Sequence, residues 1–289
     1  MQQSLEVRSA APNRFLGTLK LVGSAPPSAK FGMVIVAIYA LVALLAPLLA
    51  PYGEVEVVSR VPFEPWSANH LLGTDQLGRD FLSRLIFGAR NSISIALLTT
   101  AISFVIGCLL GVFAALVGGI VDQVISRLVD ALMSVPDLIF TLMILSIFGS
   151  SVLNLILIIA VLTSTRFYRI ARAAALNVAS LDFVEHAKVR GESLLWIAVN
   201  EVFPNILPLI LSELGMRFCF IFLNIAALSF LGVGIQPPTA EWGLMIADGK
   251  NFLATAWWIS LFPGIAIIIL AIGFSLLADG FAELLGAKD

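Results

Sequence analysis

Five long apolar intervals, in which charged residues are absent or rare, constrain the fold of this chain more than any other feature. They lie between Lys30 and Glu54, Arg90 and Asp122, Asp137 and Arg166, Glu192 and Glu241, and Lys250 and Asp279. About 20 consecutive apolar residues cross the hydrocarbon core of a bilayer. Backbone polar groups in lipid must bond within their own segment, so the intervals predict an all-α, polytopic membrane protein.

The interval between Asp137 and Arg166 has two interpretations. Its 28 charge-free residues fit either one tilted helix or two helices that turn at residues 149–151 (Gly-Ser-Ser). With one helix, the basic loop that follows lies across the membrane from the N-terminal tail, whereas with two helices the loop and the tail share a side. Lys and Arg are enriched in cytoplasmic loops, and this favours two helices.

Six transmembrane helices follow, with both termini in the cytoplasm and expected spans at residues 31–51, 91–117, 125–148, 152–173, 204–230 and 256–278. Of the 17 Lys and Arg residues, eleven then lie on the cytoplasmic side, Arg217 lies in a span, and five lie in outer loops: Arg60, Arg79, Arg84, Arg90 and Lys250. Asp80 is expected to cap a short amphipathic helix before the second span, with Phe81, Leu82, Leu85 and Ile86 as its apolar face.

Composition argues for a membrane protein and against several kinds of site. Only 12% of the residues are charged, against about 25% in soluble domains, and the net charge of −2 gives no reason to expect nucleic acid. Cys108 and Cys219 lie in apolar runs and are predicted to be buried thiols. His70 and His186 are far apart in sequence. We therefore expect no catalytic site, no metal site and no cofactor.

The stretch from Ser180 to Pro208 is a polar, helix-forming segment among the apolar spans. Ser180 is the predicted N-cap, and Gly191 suits the C-terminal stop. Phe183, Ala187 and Gly191 recur at every fourth residue and share one face, which is predicted to admit a partner protein closely. An ordinary solvated loop helix has the same spacing.

The opposite face of this helix carries charges that are spaced for pairing. Glu185 and Lys188 are three residues apart, and Lys188 and Glu192 are four apart. Side chains at these separations are neighbours on a helix, so this face is predicted to be solvated and paired within itself.

Glu185, Ala187 and Gly191, followed by Pro204, resemble the EAA loop of permease subunits in ABC importers: Glu-Ala-Ala, three residues, Gly, nine residues and Ile-x-Leu-Pro. The chain differs from this pattern at His186, Glu201 and Phe203. Residues 182–185 (Asp-Phe-Val-Glu) and 203–205 (Phe-Pro-Asn) are similar to the dipeptide/oligopeptide/nickel branch of the family. The resemblance implies that residues 181–191 form a coupling helix that contacts a cytoplasmic ATPase through Phe183, Glu185, His186, Ala187, Arg190 and Gly191.

Further motifs are similar to the second permease subunit of peptide-type importers. They are residues 73–80 (Gly-Thr-Asp-Gln-Leu-Gly-Arg-Asp), 228–238, 242–243, 262–264 and 279–280, and together they cover roughly residues 71–280. They imply the type I ABC importer transmembrane fold. Gly73 and Gly78 superficially fit a phosphate loop, but Gly-Lys-Ser/Thr is missing, so nucleotide binding is not expected.

The resemblance also implies the organisation and partners of the chain. Residues 1–30 and 279–289 are expected to be cytoplasmic tails, residues 31–87 the first helix and outer loop, and residues 88–278 the permease domain. The protein is expected in the bacterial inner membrane. Its implied partners are a second permease subunit, two cytoplasmic ATP-binding subunits, an extracytoplasmic solute-binding protein and membrane lipid.

Two features of the predicted fifth span are candidates for a role in transport. Glu213 and Arg217 are four residues apart and can pair; they either line the translocation path or form a self-neutralised pair that stabilises helix contact. Pro204 and Pro208 lack backbone N–H donors and predict a bend where the fifth span begins.

Basic and acidic residues also surround the predicted third and fourth spans. Arg166, Arg169 and Arg172 lie roughly on one face and are expected to reach lipid headgroups, with contact to the ATPase as a second possibility. Asp130 and Asp137 are expected to remain hydrated near the inner surface.

Three functions are compared at this stage. The first is a permease subunit of an ATP-driven importer for peptides or a related small solute, which receives its energy from other chains. The second is an intramembrane enzyme, which needs converging catalytic groups that two distant histidines do not supply. The third is a passive channel, which needs no docking helix. The first is preferred.

Overall fold

The computed structural model describes the backbone of residues 26–286 and the side chains of residues 26–280. Helices make up most of this part of the chain: α1 Pro27–Leu44, α2 Ala46–Leu49, α3 Phe81–Val117, α4 Gly119–Met133, α5 Asp137–Phe148, α6 Val152–Ala179, α7 Asp182–Val189, α8 Leu194–Ile197, α9 Phe203–Phe230, α10 Trp242–Gly249 and α11 Trp258–Gly286. A π-helical turn, Ala198–Val202, joins α8 to α9. Residues 1–25 and 287–289 of the expected tails lie outside the described residues.

The long helices confirm an all-α, polytopic membrane protein. Five of the described helices are long and apolar enough to cross a bilayer: α1, α3, α6, α8–α9 taken as one, and α11. The pair α4–α5 gives a sixth span if it is counted as one. The first span begins at Pro27, within the expected tail, because proline is well tolerated in the first turn of a helix.

The expected span at residues 125–148 is not a single straight helix. The chain bends by 88° between α4 and α5, at Ser134, Val135 and Pro136. Pro136 has no N–H to donate and restricts the residue before it to extended conformations, so the helix ends at Met133 and restarts at Asp137.

The turn between α5 and α6 confirms the two-helix interpretation of the third interval. Gly149 adopts a φ of +84°, which ends α5. Ser151 caps α6 by accepting a hydrogen bond from the backbone N–H of Asn154 at 3.1 Å. The basic loop after α6 therefore lies at the opposite end of α6 from this turn.

The short amphipathic helix and the second span, expected as separate elements, form the single 37-residue helix α3. Asp80 caps it as predicted, accepting a hydrogen bond from the backbone N–H of Ser83 at 2.8 Å. The segment between the two expected elements contains no proline, so nothing in it interrupts the backbone hydrogen bonds of the helix.

Helices α3 and α6 lie against each other through small residues. A Cβ added at Gly107 would lie 2.4 Å from the carbonyl oxygen of Ser164, and one at Gly111 would lie 2.7 Å from that of Tyr168. Small residues allow membrane helices to approach this closely. This contact fixes the position of α6, which carries the basic residues discussed below.

Residues 50–84, which include the first turn of α3, and residues 241–249, which include α10, form a compact unit that we call the cap. Charged side chains inside it bind one another: Arg79 Nε lies 2.6 Å from Asp75 Oδ2, and Arg84 Nε lies 3.4 Å from the same oxygen. His70 Nδ1 lies 3.1 Å from Asp80 Oδ1. These groups are buried, so the glycine-rich motif at residues 73–80 has a structural role in the cap.

Candidate functional site

Helix α7 begins two residues later than its predicted N-cap. Ser180 is the C-terminal cap of α6, and its hydroxyl donates to the carbonyl oxygen of Asn177 at 2.8 Å. The prediction of Ser180 as N-cap is therefore wrong, because α6 continues to Ala179 and takes this serine for its own end. The first turn of α7 carries Asp182 and Glu185, whose negative charges suit the helix dipole.

The end of α7 confirms the predicted stop at Gly191. Its φ is +81°, a conformation that costs other residues energy. The N–H of Gly191 donates to the carbonyl oxygen of Lys188 at 3.0 Å, and the N–H of Glu192 donates to that of Ala187 at 3.2 Å. These two bonds form a Schellman motif, so the chain leaves the helix in a fixed direction.

The buried face of α7 differs from the face that the spacing indicated. Val184 and Ala187 have no exposed surface, and they pack into a cluster with Ile197, Val202 and Ile206. We call this cluster, which also includes parts of α3 and α6, the α7 core. Ala187 is thus an anchor inside the chain and is not available for contact with another protein, which corrects its place in the predicted contact surface.

The other predicted contact residues are exposed on α7 or just after it. They are Phe183, Glu185, His186, Arg190 and Gly191. The expected ion pairs of Lys188 are wrong: among the described residues, the pair at this end joins Arg190 to Glu192, with an Nε–Oε1 distance of 3.8 Å. The charged groups of Glu185 and Lys188 therefore face solvent without an ionic partner in the described chain.

A π-helical turn lies directly before Pro204, and the predicted bend at Pro204 and Pro208 stays a prediction. Residues 198–202 form this turn immediately before α9, and Phe203 donates its N–H to the carbonyl oxygen of Ala198. The helices on either side nevertheless form a single span, Leu194–Phe230. The π turn includes Val202 of the α7 core, so an irregular segment of helix lies directly beside the α7 anchor.

Glu213 and Arg217 form the predicted pair, with an Oε2–Nη2 distance of 2.9 Å. Arg217 Nε is buried and has no hydrogen-bond partner among the described residues. Arg217 also lines a pocket of about 260 Å³ between α5, α6 and α9. Glu213 is not part of the pocket wall, so the two members of the pair have different surroundings.

The three arginines of α6 do not extend to lipid headgroups as expected. Each binds an aspartate of α4 or α5: Arg166 with Asp137, Arg169 with Asp130, and Arg172 with Asp122. The N–O distances of these pairs are 2.6 Å, 2.7 Å and 2.5 Å. We call these pairs the Arg–Asp ladder. Burial of a charge in a membrane segment is costly unless it is paired, which explains why the ladder forms.

Sequence reasoning missed Asp122 and Asn224 as site residues. Asp122 makes a bidentate contact with Arg172, and Asn224 lines the pocket with a buried Oδ1 that has no partner in the described part of the chain. The available signal was the matching number of acids and arginines on consecutive apolar helices. For Asn224, its spacing of seven residues from Arg217 places both on one face of α9.

The cysteines and histidines do not come together. Cys108 and Cys219 are free thiols, His70 is inside the cap, and His186 is exposed on α7. Among the described residues, no group of three or more His, Cys, Asp or Glu side chains is arranged to hold a metal ion.

Comparison with known proteins identifies the family. The model of the family described as "Binding-protein-dependent transport system inner membrane component" matches residues 107–288. The chain belongs to this family. The part of this inner membrane component that matches contains α7, the Arg–Asp ladder and the pocket, and it confirms the resemblance and the type I ABC importer transmembrane fold.

Curated inner membrane components of this kind are similar to the chain over most of its length. The dipeptide transport system permease protein DppC of Haemophilus influenzae is 34% identical, covering 90% of each chain. The probable D,D-dipeptide transport system permease protein DdpC of Escherichia coli is 35% identical, covering 99% of this chain and 97% of the relative. The dipeptide transport system permease protein DppC of Escherichia coli is 38% identical, covering 89% and 88%. The chain is thus a transport permease of the ABC importer type.

Proposed function

We propose that this inner membrane component is one of two permease subunits of an ATP-driven importer of short peptides, and that α7 is the helix through which a cytoplasmic ATPase moves it. Its partners are a second permease subunit, two ATP-binding subunits and an extracytoplasmic solute-binding protein. The chain has no Gly-Lys-Ser/Thr loop, so ATP hydrolysis is assigned to the partner subunits. Peptides are the proposed solutes because the similar proteins are named as dipeptide permeases.

The observation that carries the proposal is the division of α7 into an anchored face and an exposed face. Val184 and Ala187 hold the helix in the α7 core, whereas Phe183, Glu185 and Arg190 are exposed. A partner that binds the exposed face can therefore move the helix without dissolving its contact with the membrane domain. A helix that transmits movement from a bound partner needs exposed side chains for binding and a buried face that fixes it to the membrane domain, and α7 has both.

The π turn supplies the route by which a movement of α7 reaches the membrane. Val202, the last residue of the π turn, and Ile206, at the start of α9, belong to the same cluster as Val184. Packed side chains transmit displacement because protein interiors deform little. ATP binding pulls α7, tilts α6 and α9, and opens the path between the two permeases to the outside; hydrolysis resets it.

The proposed orientation of the chain is supported by its basic residues. The loop that carries α7 lies at the same end of α6 as Arg169 and Arg172, and basic loops favour the cytoplasm. In the proposed orientation, α7 and both termini lie in the cytoplasm of a bacterial cell, and the cap lies on the outer side of the inner membrane. Glu213 and Arg217, midway along α9, then lie beside the translocation path.

Two substitutions at the exposed side of α7 test the proposal. Gly191→Asp adds a charge and a side chain where φ is +81° and no atom lies within 4 Å of the added Cβ. Glu185→Arg reverses an exposed charge. Each is expected to lower ATP-dependent uptake by about tenfold or more in a complex that still assembles and inserts.

Gly232→Asp is the matched control. Gly232 ends α9 with the same pair of backbone hydrogen bonds as Gly191, a φ of +83° and equally open surroundings, but it lies at the other end of α9 from α7. Its uptake is expected to stay within about twofold of the wild type. Normal uptake in both α7 variants would remove the coupling proposal.

A further inference from the structure

The pocket between α5, α6 and α9 lies about halfway along α6 and α9. Arg166 and Arg217, on two of its walls, are each 14 residues from the first residue of their helices, Val152 and Phe203. At 1.5 Å per residue, this is about 21 Å from the start of each helix. A volume of about 260 Å³ lies below the roughly 300–1,000 Å³ of pockets that enclose a drug-sized ligand, so the pocket has room for one end of a solute.

The pocket wall carries two arginines, each of which is bound to a carboxylate. Arg166 and Arg217 line it together with one acidic residue, Asp137, while Glu213 lies outside the wall. Asp137 is already bound to Arg166, with an Oδ2–Nη2 distance of 2.6 Å. Leu138, Phe220 and Ile221 complete an apolar side. The combination fits a ligand with an anionic group and an aliphatic body.

Two buried polar atoms of the pocket residues have no partner among the described residues: Arg217 Nε, which is a donor, and Asn224 Oδ1, which is an acceptor. Because neither atom has accessible surface, a ligand binds them only when the side chains rotate toward the pocket. Unsatisfied buried polar groups are rare in native proteins because each costs free energy. A guanidinium group binds carboxylates with two parallel hydrogen bonds. A backbone N–H next to that carboxylate would satisfy the asparagine oxygen.

The Glu213–Arg217 pair does not have the geometry of a structural crosslink. Both residues belong to α9, so the pair connects no two helices, whereas Arg166–Asp137 joins α6 to α5. An intramembrane ion pair within one helix incurs the cost of burial without holding two helices together. Glu213 instead holds one end of the Arg217 guanidinium and leaves Nε free.

We propose that this pocket is a solute subsite that binds the carboxylate end of a passing peptide, with Arg217 as the carboxylate ligand and Asn224 as the acceptor for the adjacent N–H. The proposal rests on the proposed import of peptides and adds the chemical group that the membrane path recognises. Arg166, held by Asp137, is the second guanidinium in the wall. Specificity for the end of the peptide leaves its side chains free to vary.

Protection from thiol labelling tests the subsite in the purified importer. Phe220→Cys, at a pocket residue that is 54% exposed, is introduced into a Cys108→Ala/Cys219→Ala background and labelled with a methanethiosulfonate. The probes are alanyl-alanine and alanyl-alanine amide, without the binding protein. Alanyl-alanine is expected to protect the cysteine at a concentration at least about tenfold lower than the amide, or about 1.4 kcal/mol. Leu209→Cys, exposed on α9 outside the pocket, is the control and is not protected.

The Glu213→Gln/Arg217→Gln double variant removes both charges and keeps a polar pair. It is expected to abolish protection by alanyl-alanine. Should that variant not assemble, Arg217→Lys, which keeps the positive charge, is expected to raise the protective concentration by about threefold or more. Equal protection by the two probes, persistence of protection in the variant used, or no protection at all would overturn the subsite. Wild-type uptake that is ATP-dependent and sensitive to Gly191→Asp would show that the proposed function stands even if the subsite fails.

Discussion

The cap and the α7 segment are both rich in charged residues, yet they use them in opposite ways. In the cap, Asp75, Arg79 and Arg84 are at most 5% exposed and bind one another. On α7, Glu185 and Lys188 are exposed and lack an ionic partner among the described residues. The buried ion pairs hold the cap together, whereas the exposed charges of α7 are free to bind another protein.

The surroundings of two glycines show the same difference between the cap and the α7 segment. Gly78 in the cap and Gly191 after α7 have φ angles of +74° and +81°. A Cβ at Gly78 would lie 2.0 Å from the carbonyl oxygen of Ser59, while one at Gly191 would meet no atom within 4 Å. The cap is therefore closed around its turn, and the α7 turn is open.

The largest effect is expected from Gly78→Ala, because the added methyl group collides with the backbone of the cap. The cost combines the strained φ with the collision and should reach about 3 kcal/mol or more of unfolding free energy. Thermal unfolding in detergent measures it. Gly232→Ala, with a φ of +83° and open surroundings, carries the strain alone and should cost about 1–2 kcal/mol; equal costs for the two variants would contradict a closed cap.

A smaller, local effect is expected when a charge is placed under α7. Val184→Asp puts a carboxylate into the α7 core, where Val184 is fully buried, and should cost about 2–3 kcal/mol through detachment of the helix. Trypsin cleavage at Lys188 and Arg190 should then become faster. Val189→Asp, at a position that is 84% exposed on the same helix, is the control; faster cleavage in both variants would show that α7 is not anchored through Val184.

Substitutions in the Arg–Asp ladder should lower the stability less, and the loss should depend on how deeply each pair is buried. Asp122 is 15% exposed and bonds Arg172 with both oxygens, whereas the Asp130–Arg169 pair is about half exposed. Asp122→Ala is expected to lower the unfolding free energy by about 1–2 kcal/mol, and Asp130→Ala by about 0.5 kcal/mol or less. Thermal unfolding at two salt concentrations measures both, and a larger loss for Asp130→Ala would contradict the burial order.

The smallest expected effect is a pH dependence of the protein's stability that arises from Glu241 in the cap. Glu241 caps α10 by accepting from the N–H of Leu244 at 2.8 Å, and burial raises the pKa of its carboxyl above the usual 4.5. A raised pKa in the folded state means that the stability from this group is complete below 4.5 and declines as the pH rises through the folded pKa. Glu241→Gln keeps an acceptor and removes the decline, so its melting temperature relative to wild type should rise with pH; a constant difference would contradict this.

The sequence predicted features that depend on local chemistry or on the whole charge distribution. Gly191 stops α7 because a left-handed turn favours glycine, and the basic residues correctly favoured two helices in the third interval. Ser180 was misplaced because the length of α6 is set by its packing against α3, which a capping pattern does not contain. The spacing of α7 gave a face but not its environment, so Ala187 was assigned to the surface when it is buried.

The sequence did not predict which helices contact each other. Arg166, Arg169 and Arg172 recur every three residues, whereas their partners in α4 and α5 are seven and eight residues apart. Arg169 and Arg172 bind aspartates of α4, whereas Arg166 binds Asp137 of α5, beyond the 88° bend at Pro136. The pocket beside Arg217 likewise depends on three helices that meet, and the roles of the coupling residues and of Glu213 and Arg217 stay predictions.

The side of the membrane on which α7 lies tests the account most directly. Glu185→Cys on α7 and Leu71→Cys in the cap, both at exposed positions, are placed in separate Cys108→Ala/Cys219→Ala chains and treated with a membrane-impermeant maleimide. The account predicts that Glu185→Cys reacts in inside-out vesicles alone and Leu71→Cys in right-side-out vesicles alone. Reaction of Glu185→Cys from the outer side would contradict it.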